Sequence, residues 1–260
     1  MLVRSLVLAV FLCPAVAHGQ SVEEEHDEVI QITGEKPVGG KVPDLPEAVK
    51  RIVAQTNEFR KAEGRPAVEV NPKLTETARY FADFMARTDK YGHTADDSRP
   101  ADRAKKHGYD YCLVSDNIAY QFNTEGFATK DLAEGYFTGW KESPGHRKNM
   151  LDPDVTETGV AVARSDKTGY FYAVQMFGRP KSKAIEFRIA NKSDAAVEYT
   201  IGDRTFPLLP RYTRTHTSCR PSDVKMKWPD EVDGPTVRPA NGDRYTVVSG
   251  DSGKLTLKKE

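Results

Sequence analysis

Residues 140–151 read WKESPGHRKNML. An apolar pattern of helical period runs into this stretch from Lys130, carried by Leu132, Ala133, Tyr136, Phe137 and Trp140. Ser143, Pro144 and Gly145 end that helix and open a short new one. Pro144 suits a first helical position, where its missing N–H sacrifices no hydrogen bond. Gly145 loosens the backbone where the chain turns. His146 is thereby placed at the start of a helix, where a side chain can be aimed into a cleft. Arg147, Lys148 and Asn149 follow, and Met150 and Leu151 anchor the helix to a core. Alone, the pattern equally describes a helix–turn–helix corner with a capping histidine, so the flanking segments decide.

Upstream, Pro46 at a first helical position and the stripe Val49, Ile52, Val53, Thr56 and Phe59 predict a helix over 46–63, ended by Gly64. Residues 66–70 are extended. Asn71 then caps a second helix with Pro72 at its first position, and Leu74, Ala78, Phe81, Ala82 and Met85 form its apolar face. Tyr91-Gly92-His93 follows in a loop that ends in Asp96, Asp97 and Ser98. A short helix over 100–107 closes at Gly108, and residues 114–119 (VSDNIA) are extended. Downstream of the corner, GVAVAR (159–164) and YFYAVQMF (170–177) flank the turn Lys167-Thr168-Gly169 and predict a β-hairpin.

The character changes near Pro180. Short apolar-polar runs at 185–190, 196–202, 204–208, 212–218, 244–249 and 254–258 are separated by Gly, Pro and Asn clusters, with no helix of useful length. That spacing predicts a small antiparallel β-sandwich. The chain therefore divides into residues 1–19, 20–45, 46–180 and 181–260. The first is an export signal: Arg4, the apolar run SLVLAVFLC (5–13), and Ala15-Val16-Ala17 or Ala17-His18-Gly19 as a small-residue cleavage site. The apolar run is too short for a spanning anchor, and Leu12 disfavours lipidation of Cys13. Residues 20–45, rich in acids, glycine and proline, read as an exposed leader; a β segment at 29–33 has no obvious partner.

The 260 residues carry a formal net charge of zero, with 29% charged and 38% hydrophobic side chains. That is a globular chain without the basic footprint of a nucleic-acid or anionic-membrane binder. Beyond the signal remain Cys112 and Cys219, which export permits to pair and which packing equally permits to stay as buried thiols. No CxxC, HExxH, nucleophile elbow or phosphate-binding glycine loop occurs. The chemistry-bearing candidates are His93, His146 and, between them, Asp116. Two imidazoles and a carboxylate can hold a divalent ion or perform acid–base work, or serve as hydrogen-bonded structural groups.

Taken in order, these segments resemble the CAP superfamily, the SCP/PR-1-like domain, in its bacterial secreted form. NEFRKAEGRPAVEVNPKLTETARYFADFMA resembles its opening pair of helices, YGHTADD its first histidine motif, SDNIA its GENIA, GWKESPGHRKNMLDPDVTETGVAVA its SPGHR segment and following strand, and YAVQMFG its closing strand. The resemblance implies an α+β fold: a three-layer α–β–α sandwich over 46–180, here followed by a small all-β sandwich-like region that lies outside the resemblance. It implies a cleft with two histidines, His93 and His146, and an acid position occupied by Asp116 where the family usually has glutamate. The second acid position is Ser143, and the neighbouring Glu142 points elsewhere if the helix continues. Fewer acids mean weaker retention of a divalent ion, so zinc binding through His93 and His146 is expected to be weak.

Two functional expectations follow. The first is a secreted or periplasmic binding module whose cleft takes a metal or small ligand and which meets a lipid or an envelope protein. The second is a metal-assisted, peptidase-like hydrolase in which Asp116 orients or deprotonates water held by His93 and His146. Neither involves nucleic acid or a transmembrane anchor. A third, structural reading has the polar cluster tie loops together.

Overall fold

A computed structural model describes residues 28–34, 40–229, 232–250 and 253–260. The expected export signal, residues 1–19, lies outside the described residues. In chain order the first body comprises β1 (Ile30–Gln31), α1 (Leu45–Ala62), β2 (Glu69–Val70), α2 (Pro72–Thr88), β3 (Lys90–Tyr91), α3 (Pro100–Lys106), β4 (Tyr111–Gln121), α4 (Thr129–Glu142), α5 (Pro144–Met150), β5 (Glu157–Arg164) and β6 (Phe171–Pro180). A 3-10 turn, Lys181–Lys183, leads on to β7 (Ile185–Asn191), β8 (Val197–Ile201), β9 (Arg204–Leu208), β10 (Thr213–Ser218), β11 (Val224–Lys227), β12 (Asp233–Val237), β13 (Arg244–Ser249) and β14 (Leu255–Lys259).

The helices start where the side chains satisfy their first N–H groups. Asp44 accepts from the Glu47 N–H at α1 (3.0 Å), and Asn71 Oδ1 accepts from the N–H groups of Lys73 (2.9 Å) and Leu74 (3.4 Å) at α2. A four-stranded sheet of order β2-β5-β6-β4 lies between two helical layers. On one face, Leu74, Phe81 and Met85 of α2 pack on Tyr172, Val174 and Met176. On the other, Ile52 and Phe59 of α1 with Leu132, Tyr136 and Trp140 of α4 pack on Val160, Ala173 and Phe177. This is the three-layer α–β–α sandwich expected from the resemblance.

Gly159 sets how closely α2 approaches the sheet. A Cβ there would collide with the backbone of Leu74 and Thr75 at the first turn of the helix. Backbone cannot swing aside as a side-chain tip can, so Gly159→Ala is expected to lower stability by about 3 kcal/mol, read as a lower urea midpoint at unchanged slope.

The second body stacks two sheets, β10-β7-β13-β14 and β12-β11-β8-β9, around Phe187, Ile189, Tyr199, Val224, Met226 and Val247. It is all-β, but not wholly antiparallel. β13 runs parallel to β7, a pairing that a hairpin cannot make; the chain passes through β8 to β12, in both sheets, between the two strands. β11 and β12 were absent from the strand pattern. β11 has four residues, and Pro235 interrupts β12, which it can do because β12 is an edge strand.

Two further corrections concern ends and junctions. The segment expected to lack a partner has one: Ile30 and Gln31 pair antiparallel with Tyr91 and Lys90, and Ile32 is buried in the core. The cysteines, left open by sequence, form a disulfide between β4 and the segment after β10, with Cα atoms 5.2 Å apart. The adjacent Arg220 grips the loop after α5, donating to both carboxylate oxygens of Asp152 (2.8 and 2.7 Å) and to Asp154 (2.7 Å).

Candidate functional site

β4 is the edge strand of the central sheet, and its far edge forms the floor of the site. Edge carbonyls need donors, and side chains supply them. Asn149 Nδ2 donates to the Asp116 carbonyl (3.1 Å); the Trp140 indole (3.1 Å) and Tyr91 hydroxyl (3.2 Å) donate to that of Ile118. The tryptophan and asparagine of the opening stretch thus dock α4 and α5 on the strand that carries the acid.

The loop after β3 brings His93 over Asp116. His93 Nδ1 lies 2.7 Å from Asp116 Oδ1, and an ionised carboxylate only accepts, so the ring donates. The other oxygen, Oδ2, accepts from Arg103 Nη2 at 3.2 Å. Arg103 comes from α3 and is almost fully enclosed, its side chain 1% exposed and those of Asp96 and Asp116 3% each. Its Nη1 donates to Asp96 (2.7 Å) and to the Ser98 carbonyl (2.7 Å), its Nη2 also to the His93 carbonyl (2.9 Å), and its guanidinium lies 3.6 Å from the Phe81 ring centroid. One cation therefore fixes both the acid and the backbone of the histidine that the acid orients.

His146 approaches from α5, its ring centroid 6.3 Å from that of His93. Asn117 donates to its carbonyl (3.2 Å) and to Gln175 (3.3 Å), and Gln175 donates to Thr56 of α1 (2.9 Å). Arg60 Nη1 donates to the carbonyls of Met150 (2.6 Å) and Asp152 (3.1 Å), closing the end of α5. Burial lowers the Arg60 guanidinium from its ordinary value, offset by the charge of Asp152. The resulting cleft, about 960 Å³, is lined among others by Tyr91, His93, Ser115, Ser143, His146 and Asn149. Glu142, next to the second acid position, is exposed and does not line it.

His93, Asp116 and His146 are thus brought together, but in unequal roles. Asp116 borders the cleft but is only 4% exposed, and its oxygens accept one from His93 and one from Arg103, so it acts chiefly as the support of the histidine. Among the described residues no group of three or more His, Cys, Asp and Glu is arranged to hold a metal ion. A three-donor zinc site therefore does not fit; two imidazoles are what an ion would meet. Arg103 was not singled out in the sequence. Its only signal was an arginine on a short helix following an aspartate-rich loop.

Among the described residues no helix is long and apolar enough to cross a membrane. The uncharacterized protein YkwD of Bacillus subtilis is 28% identical over 131 residues, which are 50% of this chain and 47% of YkwD, so the chain spans about half of that relative. An extracellular protein containing a SCP domain from Bacillus anthracis is 25% identical, with 55% of this chain and 45% of that one covered and a TM-score of 0.44. An outer surface protein of Borrelia burgdorferi is 20% identical over 55% of this chain and 99% of its own, with a TM-score of 0.47. Residues 53–177 match the model of the Cysteine-rich secretory protein family, and the match stops before β7. Those residues, the helical layers and the sheet that carry His93, Asp116 and His146, are a CAP domain of that family.

Proposed function

We propose that this chain is an extracytoplasmic binding module of the bacterial envelope, whose cleft between His93 and His146 holds a ligand. The observation that carries this is the anchoring of His93. A buried Arg103–Asp116 pair holds its Nδ1 and fixes the ring at the cleft wall, with a second imidazole across the cleft. A fixed, oriented imidazole is what a binding site requires. Water activation requires more: a carboxylate that reaches the reacting water. Asp116 is buried, with one oxygen accepting from His93 and the other from Arg103, which favours support of the histidine over the metal-assisted hydrolase. The disulfide fits an oxidising compartment, and a small ligand, lipid or envelope protein fits a cleft whose lining carries, besides the histidines and Asp116, one acidic and one basic side chain, Glu28 and Lys148.

Zinc is a probe of this cleft rather than its designed occupant. By calorimetry the mature chain is expected to bind one zinc ion weakly, and both His93→Ala and His146→Ala are expected to abolish binding. Asp116→Asn, which keeps the shape but loses the charge behind His93, is expected to weaken binding by about 10- to 100-fold. Zinc binding that survives both histidine substitutions would place the ion elsewhere and remove the site. Peptide turnover that disappears in Asp116→Asn would instead establish the hydrolase.

A further inference from the structure

A row of aromatic rings leads away from the cleft along β4. It begins with Tyr91, which lines the cleft. The Tyr91 and Tyr120 centroids are 4.7 Å apart in an edge-on contact at 82°. Tyr120 lies 5.8 Å from Tyr170, and Tyr170 stacks on Phe122 at 4.6 Å and 21°. Core packing explains Tyr91 and Tyr170, which lean on the hydrophobic cluster between α2 and the sheet, but not Tyr120 and Phe122. Tyr120 is 40% exposed and Phe122 37%, though apolar rings of this size usually lie deeper. Ile30, paired in register with Tyr91, is 38% exposed beside the start of the row. Two exposed rings backed by two half-buried ones, continuing a polar cleft, are characteristic of a binding face.

The chemistry of the row narrows what it can take. Three of the four rings are tyrosines, which offer a flat apolar body and a hydroxyl rim. No lysine or arginine belongs to the row, so it makes no demand for an anionic ligand. The cleft end supplies hydrogen-bonding groups, Ser115, Ser143, His146 and Asn149, and beside them one side chain of each charge, Glu28 and Lys148, so it does not select a ligand of either sign. From Asp116 to Phe122 the strand direction covers about 20 Å, so a ligand that uses both ends is long and narrow. An extended peptide would normally add itself to an open strand edge. Here the outward carbonyls of Asp116 and Ile118 already accept from Asn149, Trp140 and Tyr91, so beside the cleft the edge is closed to strand addition, and a ligand that uses both ends cannot pair along the strand. A chain of sugar rings meets the remaining requirements, because pyranoses present apolar C–H faces to aromatic rings and hydroxyls to polar groups.

We infer that Tyr91, Tyr120, Tyr170 and Phe122 extend the cleft into a binding face for a neutral linear glycan. This deepens the binding-module reading and rests on it. The test is calorimetry of the mature chain with chitohexaose, chitobiose and cellohexaose, with zinc titrated in parallel as an independent report on the cleft. One of the hexasaccharides is expected to bind, and chitobiose, too short to span the row, at least about tenfold more weakly than chitohexaose if the acetylated hexamer is the one bound. Tyr120→Ala is expected to weaken the bound hexasaccharide by about tenfold, the upper end for one aromatic contact, and Tyr120→Phe to leave it nearly unchanged. Zinc binding should be unaltered in both variants.

Wild-type affinity retained in Tyr120→Ala and Phe122→Ala would overturn the row while leaving a cleft that binds sugar. No binding of either hexasaccharide, with zinc still bound through His93 and His146, would overturn the glycan inference alone. Loss of both sugar and zinc binding in a folded wild-type chain would remove the cleft reading and this inference together.

Discussion

Arg103→Met is expected to destabilise the chain by about 4 kcal/mol, because removing one partner of a buried ion pair leaves an uncompensated charge. Here two carboxylates are left, those of Asp96 and Asp116, both closed off from water. The substitution also strips donors from the carbonyls of Ser98 and His93 and a cation from the face of Phe81. Methionine fills much the same volume, so the loss is electrostatic rather than a cavity. That origin can be checked within the same experiment. Replacing Arg103, Asp96 and Asp116 together with Met, Leu and Leu is expected to cost less than the single change, since no charge is then stranded. Urea midpoints of the two variants decide it. A single variant that unfolds at the wild-type midpoint would mean that Arg103 does not hold the cluster.

Cys112→Ser with Cys219→Ser is expected to produce an effect of similar size by a different route. The bond closes a span with a sequence separation of 107 residues, for which the chain-entropy argument gives about 4.7 kcal/mol. Each body has its own core, so the loss should fall on their coupling. A single urea transition in the oxidised chain should become two, one for each body. Arg220 remains as a weaker link. Burial pushes the Asp152 carboxyl up, but hydrogen bonds from Arg220 and the Asp154 N–H, with the charges of Arg220 and Arg60, outweigh it and hold the group below its ordinary 3.8. A depressed carboxylate contributes stability above its unfolded value and loses it as pH falls through the folded one. The serine variant should therefore separate into two transitions more widely below about pH 4 than at neutral pH. One transition for that variant at every pH would show that the bodies are coupled by something other than these two contacts.

Much of the CAP domain was legible because its signals are local. Asn71-Pro72 and Ser143-Pro144 mark helix starts by their own chemistry, and the stripe of α2 needs only its period of 3.6 to be read. His93, Asp116 and His146 were legible because the resemblance ordered them, although not one of the three is near another in sequence. What escaped was long-range. Arg103 lies in a run, RAKK, that reads as a solvated face; its burial exists only once α3 packs over β4. The two-residue pairing of Ile30 and Gln31 with β3 carries no periodicity. The parallel register of β7 and β13 depends on a crossover through β8 to β12. The role of Asp116 also changed with distance information: its residue type suggested a ligand or base, and its two short contacts make it the support of His93.

The most direct test of a shared imidazole site is the nitrogen NMR of the two rings during a zinc titration. His93 should show a protonated Nδ1 before the ion is added, and the His93 and His146 ring signals should shift over the same zinc range. Asp116→Asn should alter the starting His93 signals and leave those of His146 largely in place. Movement of one ring without the other, or His93 protonated only on Nε2, would contradict a cleft in which a carboxylate-held His93 and His146 face one ligand.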